Sequence, residues 1–134
     1  MRKTAYTFGT TLPMPLGQAR PRAEAALRAE GFGVLTEIDV AATLQAKLGV
    51  DISPYVILGA CNPPLAHRAL QIDPSIGALL PCSVVLREQA GETVIEPMDP
   101  RAMLDLVGVP GIEALAIEAE ARLRRVVVSL EADA

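Results

Sequence analysis

The sequence predicts an α+β fold in which helices pack on a mainly antiparallel sheet of about four to five strands. Segments in which apolar residues alternate with polar ones, as in strands, come between segments in which they recur at helical spacing. Two strand segments, residues 82–88 and 93–98, are joined by the short turn Gln89-Ala90-Gly91, which predicts a hairpin. The strands of a hairpin are antiparallel neighbours, and this pair therefore indicates the type of sheet.

Four elements are predicted before the centre of the chain: a weak edge strand at residues 4–10, a helix at 16–30, a strand at 32–38 and a helix at 40–48. The helices repeat apolar residues every three or four positions, whereas the strands alternate. Gly31 and Gly49 follow the two helices, in the position where a left-handed residue commonly ends a helix. Asp39 is a suitable N-cap for the second helix, whose apolar face is Val40, Ala41, Leu44 and Leu48.

The centre of the chain is a buried strand, residues 55–60, that runs directly into a helix. Asn62 is a suitable N-cap for this helix, and Pro63 stands at its first position, where the missing N–H costs nothing. Cys61 lies at the joint between strand and helix. Later helices are predicted from Pro100 to near Gly108, after the cap Asp99, and over residues 112–130, where apolar residues keep helical spacing throughout.

Composition and charge limit the possible classes of function. A chain of 134 residues is expected to form a single domain, residues 1–134. Its net charge of −4 argues against nucleic acid or an anionic membrane as a partner. The N-terminal residues lack the apolar part of a signal peptide, and no apolar run approaches the length of a membrane span. We therefore expect a cytoplasmic protein.

Cys61 and Cys82 are expected to lie at one edge of the sheet, because Cys61 ends a strand and Cys82 begins the next. In antiparallel neighbours these ends meet, with a separation of about 5 Å between Cα atoms, whereas in parallel strands the two cysteines would lie at opposite ends. Met98 returns to the same edge on the third strand, and His67 lies one turn into the central helix. The four side chains form a plausible ligand set for zinc or copper, although their spacing matches no compact zinc motif.

Several segments resemble a known family. They are GFGVLTEIDV, the strand that runs into ACNPPLAHRAL, LLPCSVVLRE and the pair Asp99-Pro100. Together they resemble the bacterial and archaeal family of domain of unknown function 302 (DUF302), most clearly over residues 24–105. The resemblance implies a small α+β domain with an architecture like that of the TATA-binding protein, often found as a homodimer. It implies no reaction, and fold likeness alone does not carry DNA binding to an acidic chain.

Three functions remain open. The leading interpretation is a homodimeric binding module for a metal ion or small ligand, in which Cys61 and Cys82 ligate or react, His67 assists, and the backbone N–H groups after Asn62 offer an anion site. The second is a thiol–disulfide or reductase-like enzyme, in which Cys61 attacks as a thiolate favoured by the helix N-terminus and Cys82 resolves. The third is a structural homodimer with buried cysteines. With only 3% aromatic residues, a small or aliphatic ligand is favoured over a flavin or nucleotide.

Overall fold

The computed structural model describes residues 1–132, within which six strands form one sheet and five α-helices and a 3-10 helix surround it. The strands are β1 (Arg2–Lys3), β2 (Phe8–Leu12), β3 (Gly33–Asp39), β4 (Tyr55–Cys61), β5 (Cys82–Gln89) and β6 (Glu92–Pro97). The helices are α1 (Leu16–Ala29), α2 (Val40–Leu48), α3 (Pro63–Ile72), the 3-10 helix Pro74–Leu79, α4 (Pro100–Leu104) and α5 (Ile112–Ala132).

The sheet has the strand order β1-β2-β6-β5-β4-β3, and every neighbouring pair is antiparallel. This confirms the predicted α+β class and the antiparallel sheet, with six strands where about four to five were expected. The difference lies at the N-terminus. Thr4 forms a turn, in which its hydroxyl accepts from the N–H groups of Tyr6 and Thr7. The strand predicted at residues 4–10 therefore begins only at Phe8, and it lies inside the sheet because β1 covers its outer side.

The main core lies between one face of the sheet and the helices α1 and α5. Alternate strand residues point to this face, as the period of two in a strand requires. The largest of its fully buried side chains are Phe8, Leu12, Leu27, Leu58, Leu86, Ile95, Leu123 and Leu130. A second, smaller cluster under α3, α4 and α5 includes Leu65, Ile76 and Leu115. The two clusters meet where β4 ends and β5 begins.

The predicted caps position the ends of these elements. Asp39, Asn62 and Asp99 each accept a hydrogen bond from a backbone N–H in the first turn of the helix that follows. Gly31 and Gly49 have φ of +86° and +66°, the left-handed conformation expected after a helix. In α2, however, the structure describes every residue and buries none, including those of its predicted apolar face.

Among the helices of the described residues, none is long and apolar enough to cross a membrane.

Candidate functional site

The candidate site lies at the ends of β4 and β5, where the sheet meets α3. Cys61 is the last residue of β4 and Cys82 the first of β5, and the two strands are antiparallel neighbours as expected. Cys82 is paired with Ala60, whereas Cys61 is paired with Gly33 on the other side. The cysteines are therefore one residue out of direct register, and both are free, half-buried thiols.

A cavity of about 50 Å³ lies at this junction. Three sulfur-containing side chains line it, those of Cys61, Cys82 and Met98, and the rest of its wall is almost wholly apolar, with Phe32 and Leu115 among its residues. The volume exceeds the roughly 10–15 Å³ that a cavity needs to hold one water. It is far below the roughly 300 Å³ at which pockets for organic ligands begin. The cavity therefore has room for an ion or a very small group.

Met98 is fixed beside Cys82 by the backbone. Its N–H donates to the carbonyl of Ser83 at 2.9 Å, which extends the β5–β6 ladder beyond its last pair. On its other side Met98 forms an isolated antiparallel bridge with Thr7. Met98 also lines a groove of about 330 Å³ in which Ile57 and Met103 take part. Its side chain thus forms part of the wall between the cavity and this groove.

The Cys82 thiol is held in its protonated form. Burial, and secondarily the neighbouring Cys61, raises the pKa of Cys82 from its ordinary value of 9.0 to about 11. Burial has this effect because a thiolate loses its hydration in an apolar cavity. Cys82 is therefore a neutral thiol near pH 7, and any cation that binds its sulfur must displace the proton.

His67 does not reach the cavity. It lies on the exposed face of α3, while Leu65 and Ala69 form the buried face. His67 is two positions from each of them, which in a helix is more than half a turn away. The sequence could have predicted that His67 faces away from the core. Leu65 and Ala69 are four positions apart and share one face of the helix, and His67 lies between them on the other face.

Asn62 is buried, and its side chain is fully engaged in holding helices together. Its Oδ1 accepts from the N–H of Leu65 at 3.3 Å, and its Nδ2 donates to the carbonyl of Glu30 at 3.5 Å. The guanidinium of Arg122 donates to the same carbonyl. Asn62 thereby joins the end of α1 to the start of α3 and, through Glu30, to α5.

The described first turn of α3 has no free backbone N–H group for the anion site that was expected after Asn62. Pro63 and Pro64 have no N–H, and the N–H of Leu65 is bonded to the Asn62 side chain. The N–H of Ala66 donates to the Asn62 carbonyl at 2.9 Å. The expectation was wrong because a second proline and an occupied cap remove the groups on which an anion would rest.

Among residues 1–132, no three His, Cys, Asp or Glu side chains are grouped as metal ligands. A metal at this site would consequently need a ligand of another type, and Met98 supplies one. The sequence indicated Met98 from its strand register. It could not indicate the apolar wall, for which α4 and α5 supply residues such as Pro100, Leu104 and Leu115. Those helices reach the cavity only through tertiary packing.

Comparison with known proteins identifies a family and a similar crystal structure. The family model described as domain of unknown function DUF302 matches residues 8–130. The crystal structure of an uncharacterized conserved protein DUF302 from Bacillus stearothermophilus has a TM-score of 0.87 and 30% sequence identity, and the match covers 95% of this chain and 99% of that one. Among curated proteins, none matches the chain.

Proposed function

This chain belongs to the DUF302 family, a family of unknown function, and we propose that it is a single-domain binding module for one monovalent copper ion. Cys61, Cys82 and Met98 would be the ligands. One observation carries the proposal: the three sulfur-containing side chains line the same small and otherwise apolar cavity. A lone ion fits its volume of about 50 Å³, whereas an organic ligand does not.

The donor types favour copper(I) over zinc. Thiolate and thioether are soft ligands, and together they select copper(I). Zinc normally takes four ligands from thiolates, imidazoles and carboxylates. Within residues 1–132 the cavity offers two thiols of this set, and His67, which was expected to assist, faces away from it. Copper(I) is stable at low coordination numbers, so three sulfur ligands are sufficient for it.

Copper binding would depend on the protonation of Cys82 and on the redox state of both thiols. Because the pKa of Cys82 is about 11, copper must displace a proton from this thiol, and its apparent affinity should rise with pH. Both thiols must also stay reduced. We therefore propose a cytoplasmic protein, because thiols are kept reduced in that compartment. We propose no membrane or nucleic-acid partner, because the net charge is −4. The proposal includes the homodimer that the family resemblance implies.

A thiol–disulfide function is the second candidate, and the two free thiols at adjacent strand ends favour it. In this case Cys61 and Cys82 would form one S–S bond, and the S–S bond of a disulfide substrate would break as it takes up the two electrons and two protons and becomes two thiols. The high pKa of Cys82 weighs against it, because a resolving thiol that stays protonated near pH 7 exchanges slowly. The third interpretation, cysteines that serve only packing, is the outcome if neither activity is found.

The test is copper(I) titration of the reduced full chain under anaerobic conditions, in competition with a chromophoric copper(I) chelator. We expect one copper per chain in the wild type and loss of tight binding in Cys61→Ser and in Cys82→Ser. Met98→Leu should weaken binding by at least the roughly tenfold that even outer-shell ligands contribute. Circular dichroism of each variant checks that the fold is kept.

Two matched controls make this test specific. Met103→Leu removes a thioether that lines the neighbouring groove but not the cavity, and His67→Ala removes the exposed imidazole. Both variants should bind copper like the wild type. Absence of tight binding in the folded wild type, or equal loss in Met98→Leu and Met103→Leu, would contradict the proposal. A Cys61–Cys82 disulfide that forms readily in a glutathione redox buffer would then support the second candidate.

A further inference from the structure

A groove that opens to solvent adjoins the small cavity between β4 and β5. Its volume is about 330 Å³, and Met98 and Met103 both line it. Thr36 and Ser83, in the same lining, are exposed, so the groove can be entered from outside. We propose that this groove, called here the methionine groove, is the route by which copper(I) enters and leaves the cavity, with Met103 as the first ligand that an entering ion meets. The inference rests on the proposed function and goes beyond it by assigning a path to the site.

The side chains that the cavity shares with its neighbours show which border a copper ion can cross. Phe32 also lines a polar groove beside α1, and Leu104 also lines a hollow at the start of α5. Leu79, Leu80 and Met98 are shared with the methionine groove. Among these five residues, Met98 is the one whose side chain can bind copper(I). The border with the methionine groove is therefore the one that an ion can cross by passing from ligand to ligand.

Met103 supplies the methionine groove with a second thioether, from α4. It lines the groove but not the cavity, whereas Met98 lines both. The backbone of Met103 is held in place, because its N–H donates to the carbonyl of Asp99 at 3.2 Å and the N–H of Asp99 donates to the carbonyl of Tyr6 at 2.8 Å. The two thioethers therefore follow one another between solvent and the cysteines, with Met103 in the groove and Met98 at the cavity wall.

The methionine groove is uncharged and suits a monovalent ion. Among the described residues that line it, none carries a charged side chain. The cost of moving an ion out of water grows with the square of its charge, so a divalent ion such as zinc is disfavoured there more strongly than copper(I). Thioethers offset this cost for copper(I), because they are soft ligands. The groove thus admits the metal that the donors of the cavity also prefer.

Entry is a series of ligand exchanges in which copper stays monovalent. The ion leaves its donor for the neutral thioether of Met103, passes to that of Met98, and then binds Cys61 and Cys82 as thiolates while Met98 remains a ligand. The protons that the thiols lose pass to water. Because a thiolate is charged and a thioether is not, the ion is bound weakly in the groove and tightly in the cavity. Met103 therefore determines how fast copper(I) exchanges, and the cavity determines how tightly it is held.

The test is the rate at which copper(I) leaves the loaded full chain. The reduced protein, carrying one copper, is mixed anaerobically in a stopped-flow instrument with excess chromophoric copper(I) chelator, and the absorbance follows the transfer. At saturating chelator the rate is set by the protein. We expect Met103→Leu to release copper more slowly than the wild type by roughly tenfold or more, the range over which outer partners of metal sites act. The equilibrium affinity should stay as in the wild type, so uptake should slow by the same factor.

Further variants separate the path from the fold. Met14→Leu is the matched control and should release copper like the wild type, because Met14 packs against the main core and lines neither the cavity nor the methionine groove. Ser83→Phe should slow release and uptake, since Ser83 lines the groove but not the cavity and a phenyl ring there closes the path. Ser129→Phe places the same ring at an exposed serine outside the groove and should have no effect.

The outcomes distinguish this inference from the proposed function. Release from Met103→Leu and Ser83→Phe at the wild-type rate, with one copper bound per chain, would overturn the route and leave the cavity site standing. Faster release with weaker binding in Met103→Leu would also overturn the route, because Met103 would then hold the bound ion or the fold. A folded wild type that binds no copper would contradict the proposed function, and the route with it.

Discussion

The backbone N–H of Met98 donates to the carbonyl of Ser83 at 2.9 Å, so the residue after the end of β6 is tied to the residue after Cys82. Together with the bridge between Met98 and Thr7, this hydrogen bond fixes the backbone position of Met98. From this position Met98 lines the cavity that Cys61 and Cys82 also line. The identity of the residue at position 98 should therefore determine which metal the cavity prefers.

The first prediction concerns this preference. Met98→His replaces a soft thioether by an imidazole, which zinc accepts readily. We expect the variant to bind zinc more tightly than the wild type by at least tenfold, and copper(I) more weakly. Competition with a zinc-sensitive dye measures the change. Met103→His is the control, because Met103 lines only the neighbouring groove and an imidazole there should leave zinc affinity as in the wild type. An equal gain in both variants would argue for adventitious zinc binding to added histidine.

The second prediction is the dependence of stability on pH. The folded state raises the pKa of Cys82 from 9.0 to about 11, so it holds this proton more tightly than the unfolded chain. The resulting stabilisation is fully present below pH 9 and is lost as the pH rises towards 11. At about 1.4 kcal/mol per pKa unit, the free energy of unfolding should fall by roughly 2–3 kcal/mol over this range because of Cys82 alone.

Urea unfolding at pH 8 and at pH 11 measures this effect, and Cys82→Ala corrects for all other contributions to the pH dependence. The variant should be less stable than the wild type at pH 8, and the difference between them should shrink at pH 11. A difference that is constant across the range would show that the Cys82 thiol is not the group responsible.

The elements with strong local signals could be predicted from the sequence. The hairpin turn at Ala90-Gly91 predicted the pairing of β5 and β6, which brings Met98 to the edge where Cys82 lies. The meeting of Cys61 and Cys82 followed instead from the expected antiparallel pairing of β4 and β5. Caps such as Asn62 were visible because the side chain and the N–H that it accepts from are close in sequence.

The remaining features depend on which faces the tertiary structure covers. The apolar pattern of α2 predicted the helix correctly, but a pattern does not say how fully that face is covered: Val40 and Leu44 are half-buried, whereas Leu48 is exposed. His67 was assigned to the site because it is near Cys61 in sequence, but the geometry of α3 places it on the exposed face of the helix. The second bond of Asn62, to the carbonyl of Glu30, joins residues far apart in sequence and had no local signal.

The third prediction tests the structural role of Asn62. Asn62→Ala removes the N-cap of α3, worth about 1 kcal/mol, and the buried donor to Glu30, worth about 1 kcal/mol more. We expect the free energy of unfolding to fall by about 2 kcal/mol, while the copper stoichiometry stays at one per chain. Asp39→Ala is the matched control, since Asp39 caps the exposed α2 and has no second role in α1 or α5. It should cost about 1 kcal/mol. Loss of copper with unchanged stability in Asn62→Ala would instead make Asn62 a ligand.

The fourth prediction compares two glycines of the sheet, neither of which has a positive φ. A Cβ at Gly59 would overlap the Thr36 hydroxyl and lie 2.8 Å from Cγ of Pro81, so its obstacles are side chains. A Cβ at Gly9 would overlap the carbonyl oxygen of Ile95 and lie 3.0 Å from Cα of Glu96, so its obstacles are backbone. Overpacking costs about 1–3 kcal/mol, and more where backbone must move.

We therefore expect Gly9→Ala to destabilise the protein more than Gly59→Ala, and the two should differ in rescue. Adding Thr36→Ala removes the hydroxyl that a Cβ at Gly59 would meet, and should recover part of the lost stability. Truncating a side chain of β6 should recover none of the loss in Gly9→Ala, because the β2–β6 backbones themselves must separate. Thermal unfolding of the single and double variants measures both effects. Full additivity of Gly59→Ala with Thr36→Ala would show that the two residues do not compete for the same space, and would place the strain of Gly59→Ala on Pro81 alone.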